Sequence, residues 1–308
     1  MAVETREKLP PDLGSARDKF LELVAELRPE LHRYAARLLG SVIDGEDVVQ
    51  DTLAKAYYAL SMQTEAPPLR PFLFRIAHNT ALDMLRRYER KNVEPSAEVG
   101  EETAADERAD PEVVRAALGT FLELPVAQRS AVILKDVLGC SLEEIVESTG
   151  STLPAVKAAL VRGRAGIRAR NVALSAAAER ELPAKLERDP GERAKLHRWA
   201  ALFNERDWDG LRALIAEDCR LDVVSRVERC GPGVGEYFSR YAELSDLHLV
   251  PGTLDGRPAL AMFSPRHAPH PRYFVFVEWR GDAVTLIRDF RHVPYIADEV
   301  ALERATFV

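Results

Sequence analysis

Five polar side chains, Asn79, Asp83, Arg86, Arg87 and Arg90, recur at steps of three or four residues and so share one face of a helix. Guanidinium groups grip phosphates, while an amide and a carboxylate offer directional partners to base edges. The face therefore suits a nucleic acid, although its composition also suits a solvated helix. A second basic set, Lys157, Arg162 and Arg164 with Thr152 ahead of it, flanks an apolar stripe of Val156, Leu160, Gly163 and Ile167. With the stripe turned inward, the cations are left to face a major groove, the N-terminal turn nearest the bases. Upstream, Asp44, Asp47 and Asp51 with Gln50 line the polar side of a helix whose apolar side is Val49, Leu53, Ala56 and Leu60. Acids there cannot favour DNA; they suit a basic protein surface or water. Far downstream, Asp222, Tyr241, His248, Asp289 and His292 are candidate pocket polars. A His with an Asp could do acid–base work on a small molecule. The same residues equally fit ligand sensing or a purely structural surface.

Other chemistries lack their residues. Cys140, Cys219 and Cys230 form no C-x-x-C pair and have no metal spacing with His, so no metal is expected. They read as reduced thiols; a redox pair of Cys219 and Cys230 across neighbouring strands is the alternative. Gly231 to Gly235 is a glycine-rich loop without the Lys-Ser/Thr of a phosphate cradle, and no cofactor is implied.

These side chains need helices to place them. Phe20, Leu23, Val24, Leu27 and Leu31 follow helical steps, as do Leu73, Ile76, Thr80, Met84 and Tyr88. Pro125 opens a helix that ends at Gly139, Ser141 and Glu144 form a capping box, and the next helix stops at Gly150. Ser151 or Thr152 caps a longer basic helix with Pro154 in its first turn, which completes a helix-turn-helix pattern. After residue 192 the periodicity changes. Two helices, around Trp199 and around Leu211, precede strand-like runs near 219–229, 246–252, 258–264, 272–280 and 283–293. Gly281-Asp282 has the spacing of a two-residue hairpin. The fold class is thus multidomain, two all-α domains followed by an α+β domain. The expected segments are a polar tail 1–16, a helical domain 17–92, an acidic linker 93–111, a helix-turn-helix domain 112–170, a linker 171–191 and an α+β domain 192–303.

The net charge of −7 conceals an uneven distribution. Residues 93–112 hold eight acids and the single base Arg108, so the rest of the chain is neutral overall. Within it, Arg75 to Lys91 carries five bases against two acids, and Thr152 to Arg170 five bases and no acid. Basic helices separated by an acidic tether are compatible with DNA binding. No secretory signal and no membrane-length apolar run is found, which points to a cytoplasmic protein without a membrane partner.

"DGEDVVQDTLAKAYYAL" followed by "FLFRIAHNTALDMLRRYERK" closely resembles region two of sigma factors of the extracytoplasmic-function type. "LPVAQRSAVILKDVLGCSLEEIVESTGSTLPAVKAALVRGRAGIR" resembles their region four. The resemblance implies a promoter-recognition subunit, not an enzyme, whose partners are core RNA polymerase and promoter DNA. It implies that Asp47, Gln50, Asp51 and Lys55 dock on the polymerase. It assigns Met62 to Arg70, with Asn79, Asp83, Arg86, Arg87 and Arg90, to an unpaired base of the minus-ten element. Thr152, Lys157, Arg162 and Arg164 fall to the minus-thirty-five element. Two positions depart from the family pattern: Ala159 stands where many relatives have Arg, and Phe72 where many have Trp. "RWAALFNERDWDGLRALIAEDCRLDVV" resembles the SnoaL-like cone fold, in which helices close over a curved sheet. That resemblance implies a regulatory domain acting in cis, with a small-molecule ligand open. The rival readings are a helix-turn-helix regulator with a ligand-binding domain and a SnoaL-like isomerase or cyclase. The first leaves the acidic helix and "FLFRIAHNTALDMLRR" unexplained, and the second leaves both DNA-binding motifs unexplained.

Overall fold

A computed structural model describes residues 24–62, 67–89, 118–178, 190–224, 227–230, 234–254, 257–299 and 306–307, with Phe20, Glu22, Asp110 and Val113 besides. The expected tail 1–16, most of the acidic linker, and Arg90 lie outside these residues. The chain divides into two units, Met1–Glu181 and Leu182–Val308. Both expected helical domains thus fall in one unit, and the division comes ahead of residue 192. No described helix is long and apolar enough to cross a membrane.

The first unit opens with helices α1 (Leu27–Leu39), α2 (Val42–Ser61) and α3 (Leu69–Glu89). Gly40, at φ 73°, ends α1, and Ser41 caps α2 by accepting the Asp44 N–H at 3.2 Å. Gly45 lets α2 press against α1, since a Cβ there would lie 2.8 Å from the Ala36 nitrogen. Leu31, Tyr34, Leu38, Val48, Leu73, Phe74 and Ala77 are buried together. Phe74 meets Tyr34 edge-on at 5.7 Å, a geometry worth about 0.5–1.5 kcal/mol beyond area.

Next come α4 (Leu118–Leu122), α5 (Val126–Val132, continued by a π-helical segment Ile133–Val137), α6 (Leu142–Thr149) and α7 (Leu153–Ala178). The expected capping box is present: Glu144 N–H donates to Ser141 Oγ at 3.1 Å, and Ser141 N–H to Glu144 Oε2 at 2.8 Å. Helix α7 continues through Ala178, so the first part of the expected linker 171–191 is helical. Val156, Leu160 and Ile167 are buried as the stripe predicts. Gly163 brings α7 against α5, where a Cβ would lie 2.7 Å from Val132 Cγ1. Arg164 closes this contact from within. Its Nε and Nη2 donate to the Asp136 carboxylate at 3.0 and 2.6 Å. Arg168 adds a bond to Asp110 at 2.6 Å.

Two arginines join the helical regions reciprocally. Arg129 of α5 donates to the Leu38 carbonyl at the end of α1 at 2.5 Å, and to the Leu122 and Leu124 carbonyls at 2.8 and 2.9 Å. Arg70 of α3 donates to Glu30 at 2.9 Å, and across the joint to Glu144 and the Leu138 carbonyl at 3.0 Å each. The Cys140 thiol lies 3.2 Å from the same guanidinium, and burial pushes its pKa up. One apolar cluster runs through both regions.

The second unit begins with α8 (Pro190–Glu205) and α9 (Trp208–Ala213). A sheet follows, of strands β1 (Ile215–Val223), β2 (Val227–Cys230), β3 (His248–Leu254), β4 (Arg257–Phe263), β5 (Tyr273–Arg280), β6 (Ala283–Asp289) and β7 (Thr306–Phe307). Helix α10 (Gly235–Ala242) lies between β2 and β3, and α11 (Tyr295–Glu299) after β6. The strand order is β2-β1-β6-β5-β4-β3-β7, with β1 parallel to β6 and the other pairs antiparallel. The expected run 219–229 is two strands, and α10 was not foreseen behind its glycine-rich approach. Gly281-Asp282 makes the two-residue hairpin, with Arg280 opposite Ala283. The register sets Cys230 opposite Arg220, one position off the pairing that a bond to Cys219 needs, and Cys219 is a free thiol. Helices α8 and α10 cover one sheet face through Trp199, Phe203, Phe238 and Tyr241. Asn204 fastens α8 to β3, accepting the Leu249 N–H and donating to its carbonyl, both at 2.9 Å.

Two outcomes follow from these buried groups. Arg164→Ala should cost roughly 3–5 kcal/mol, because it strands the Asp136 charge in the interior. Arg164→Met with Asp136→Leu should recover most of that loss, as read from urea midpoints. His78 Nδ1 and the Tyr34 hydroxyl share a hydrogen bond of 2.7 Å, and burial pushes the His78 pKa down to about 4 from 6.5. The unfolded chain therefore binds a proton between these values while the folded chain does not. Stability is full above pH 6.5 and lost as pH falls towards 4, by about 3 kcal/mol from this group. His78→Gln should flatten that part of the wild-type urea-midpoint profile.

Candidate nucleic-acid interface

Helix α3 separates its two faces sharply. Leu73, Ala77 and Thr80 are buried, while Asn79, Asp83, Arg86 and Arg87 are exposed. Arg86 Nη1 reaches Asp83 Oδ1 at 3.3 Å, an exposed pair one turn apart that contributes little to stability. Between α2 and α3 lies an open cavity of about 480 Å³. Lys55, Phe72, Arg75, Asn79, Thr80 and Asp83 line it. Lys55 Nζ donates to Thr80 Oγ1 at 3.0 Å, which fixes the cation at the cavity wall. The cavity thus offers an aromatic ring, two cations, an amide and a carboxylate within one concavity. Phe72 and Arg75 were not among the expected site residues. Their signal in the sequence was their place two turns and one turn, respectively, before Asn79.

Arg70, expected in the base-capturing segment, is instead the clasp to region four described above. Its acceptors come from segments 68 and 74 residues away. Met62, at the start of that segment, is 70% exposed.

On the basic helix, Thr152 and Lys157 are exposed and Arg162 is half-buried. Thr152 Oγ1 accepts the Ala155 N–H at 3.4 Å, so the residue is also the cap. Arg164 is only 6% exposed and engaged by Asp136, which corrects its placement facing a groove. On the acidic helix, Asp51 and Lys55 are exposed and Asp47 and Gln50 half-buried. Asp44 is buried in the first turn, where its N–H needs the Ser41 cap, and does not join that surface.

In the second unit, the structure brings together two of the five candidate pocket residues. Asp289 is fully buried and accepts the hydroxyls of Tyr237 and Tyr241 at 2.7 and 2.9 Å. Arg291 Nε donates to it at 2.6 Å, and the Arg291 backbone N–H at 2.9 Å. Tyr273 shares a hydrogen bond of 2.9 Å with Tyr241. Burial first, and then the neighbouring Asp289 charge, pushes the Tyr273 hydroxyl up to about 12. Sequence reasoning missed Tyr237, Tyr273 and Arg291; the spacing of Tyr237 and Tyr241, one turn apart, was the available clue. Asp222 pairs instead with Arg288 at 3.1 Å, His292 is exposed, and His248 stands at the start of β3. Burial, then the charges of Arg266 and His267, push the His248 pKa down. The cavity above Tyr241, walled by Trp199, Phe203, Phe238 and Met262, measures about 10 Å³. Among the described residues no group of three or more His, Cys, Asp or Glu could hold a metal ion.

Comparison with known proteins accounts for the helical part. The family model for sigma-70 region 2 matches residues 23–91, and that for sigma-70 region 4 matches residues 115–165. The extracytoplasmic-function (ECF) RNA polymerase sigma factor SigG of Mycobacterium tuberculosis is 28% identical over 275 residues, covering 77% of this chain and 71% of its own length. The ECF RNA polymerase sigma factor SigE of Mycolicibacterium smegmatis is 33% identical over 154 residues, covering 48% and 59% respectively. Among solved structures, the extracytoplasmic function sigma factor SigJ of Mycobacterium tuberculosis is 18% identical, with a TM-score of 0.35, and covers 87% of this chain and 95% of its own. Sigma-70 regions 2 and 4 are matched in chain order and the curated relatives are extracytoplasmic-function sigma factors, so residues 23–91 and 115–165 form the sigma-70 part of this chain, which supports a function in transcription initiation.

Proposed function

We propose that this sigma factor reads the minus-ten element with the cavity between α2 and α3, where an unpaired base is held by Asn79 and Asp83. The single observation that carries the reading is the cavity itself. Its 480 Å³ is ample for a flipped base, and its wall combines polar edges with the Phe72 ring and two cations. Arg86 and Arg87 grip the adjoining phosphates. Thr152, Lys157 and Arg162 face the minus-thirty-five element, while Asp47, Gln50 and Asp51 dock on core polymerase; Lys55, expected beside them, serves the cavity wall. The protein works in the cytoplasm with polymerase and promoter as partners.

The clasped arrangement is then the resting one. By their names the two promoter elements lie about 25 base pairs apart, roughly 85 Å along the duplex at 3.4 Å per pair. A compact unit of about 160 residues has a radius of gyration near 15 Å and cannot span that distance. The joint made by Arg70 and Arg129 has to open before both elements are engaged.

The C-terminal domain regulates this opening in cis and is not an enzyme. Asp289 is saturated by Tyr237, Tyr241 and Arg291, so this carboxylate is not free to act as a base. A small-molecule ligand has less support, because 10 Å³ is room for one water at most.

Two measurements test these readings with purified core polymerase. In run-off transcription, Asn79→Ala and Asp83→Ala should change base preference within the minus-ten element. Lys157→Ala should instead weaken upstream binding on all promoters and lower its salt slope by about one. Equal loss for all three variants on every promoter sinks the assignment. Truncation after Glu181, which spares the whole of α7, should lower transcription several-fold while leaving the helical unit folded. A shift of about 1.4 kcal/mol between closed and open states is enough for a change of up to tenfold. Equal transcription by full-length and truncated protein removes the regulatory claim.

A further inference from the structure

The loop between β4 and β5, residues 264–272, concentrates a type of side chain that nothing above has used. Within nine residues it holds Arg266, His267, His270 and Arg272, all exposed. His248 joins them, because the β3–β4 register places it opposite Phe263, the residue that leads into the loop. The lowered pKa of His248, caused in part by Arg266 and His267, reports the positive potential at this end of the sheet.

Four arginines of this domain are neutralised by carboxylates. Arg212 is paired with Asp209, Arg280 with Asp218, Arg288 with Asp222 and Arg291 with Asp289. Among the described residues, neither Arg266 nor Arg272 has an ion pair. Asp246 spends Oδ1 on the Arg266 backbone N–H at 3.1 Å. That bond shapes the loop rather than cancelling a guanidinium.

The loop backbone is held in place. Ala268 N–H donates to the Pro265 carbonyl at 2.9 Å, and Arg272 N–H to the Met262 carbonyl at 2.7 Å. Pro265, Pro269 and Pro271 remove further freedom. Cations presented on a preorganised loop lose little entropy when they meet an anionic partner.

We propose that this loop grips the phosphate backbone of duplex DNA, independently of base sequence. Duplex DNA carries a negative charge every 1.7 Å or so of its axis, which matches a short row of guanidinium and imidazole donors. The inference rests on the reading of the chain as a sigma factor, which brings the tethered domain to promoter DNA. It is favoured over an acidic protein surface because guanidinium and imidazole N–H groups together suit closely spaced phosphates.

The test uses holoenzyme assembled from full-length protein and core polymerase, with two duplexes of unrelated upstream sequence. Binding is titrated between 50 and 200 mM salt for wild type, for Arg266→Ala with Arg272→Ala, and for the matching double Lys variant. The double Ala variant should lose about two units of log–log salt slope, so that its fall in affinity over this range is roughly tenfold smaller. The loss should be equal on both duplexes, and the Lys variant should retain the wild-type slope. Thermal melting of both variants should match wild type, since the side chains are exposed. An unchanged slope in the Ala variant overturns the proposal. Weakened binding to core polymerase with an unchanged slope also overturns it, and identifies an acidic protein partner. Failure of wild-type holoenzyme to initiate at any promoter would instead strike the sigma reading itself.

Discussion

A guanidinium group removed from water costs several kcal/mol unless its N–H groups find acceptors. Arg129 meets that condition at Nη1 and Nη2 with three backbone carbonyls, one of them Leu38 at the end of α1. The last carbonyls of a helix have no partner within it and carry the negative end of its dipole, so a cation placed there satisfies both parties. Because Leu38 belongs to region two and Arg129 to region four, the local solution for one helix end becomes the joint between two functional regions. Arg70 repeats the device in the opposite direction. Removing Arg129 would take this donor from the Leu38, Leu122 and Leu124 carbonyls, whereas Glu30 and Glu144 beside Arg70 are each about a third exposed and reach water.

The C-terminal domain solves a similar problem with the opposite sign. Asp289 is a buried carboxylate at the end of β6, and its donors come from α10, from the residue chain just after β6, and through Tyr241 from β5. Arg291 also lies over the Tyr237 and Tyr241 rings, 4.9 and 4.6 Å from their centroids. Cation, carboxylate and hydroxyls thereby satisfy one another, and α10 is bound to the sheet. A polar set in this position suggests a pocket when read from sequence, yet here it serves to hold the domain closed.

What was legible in the sequence is what depends on neighbours in the chain. Ser141 and Glu144 announce their capping box, Gly281-Asp282 its hairpin, and Val156, Leu160 and Ile167 their buried stripe. Each rests on spacings of four residues or fewer, Gly163 standing between Leu160 and Ile167 in the stripe. Arg164 was misjudged because its partner Asp136 lies 28 residues away on another helix. Helical periodicity separates apolar from polar faces, but it does not show which cation has a buried carboxylate waiting. Arg70 was placed at the base-capturing segment for the same reason, its partners Leu138 and Glu144 being distant in the chain. Helix α10 was hidden because Gly231 to Gly235 reads as a loop, and the tyrosines beyond it show one helical turn only.

A shared apolar core and a reciprocal arginine joint set conflicting demands on a protein that has to extend along DNA. Separating the regions divides the apolar cluster they share and strands the Leu38 carbonyl. Water can satisfy the freed guanidinium groups and carbonyls, but it penalises the apolar surface at about 25 cal/mol per Å². The open state is therefore disfavoured in the free protein, and whatever opens it has to bind the open state more tightly than the closed one. On the proposed reading, polymerase and promoter supply that difference together. A tethered domain needs only a small differential affinity to tilt the same balance, because its tether keeps it at high local concentration beside the helical unit. Regulation through such a domain then needs no ligand of its own. It needs a contact that one arrangement offers and the other withdraws.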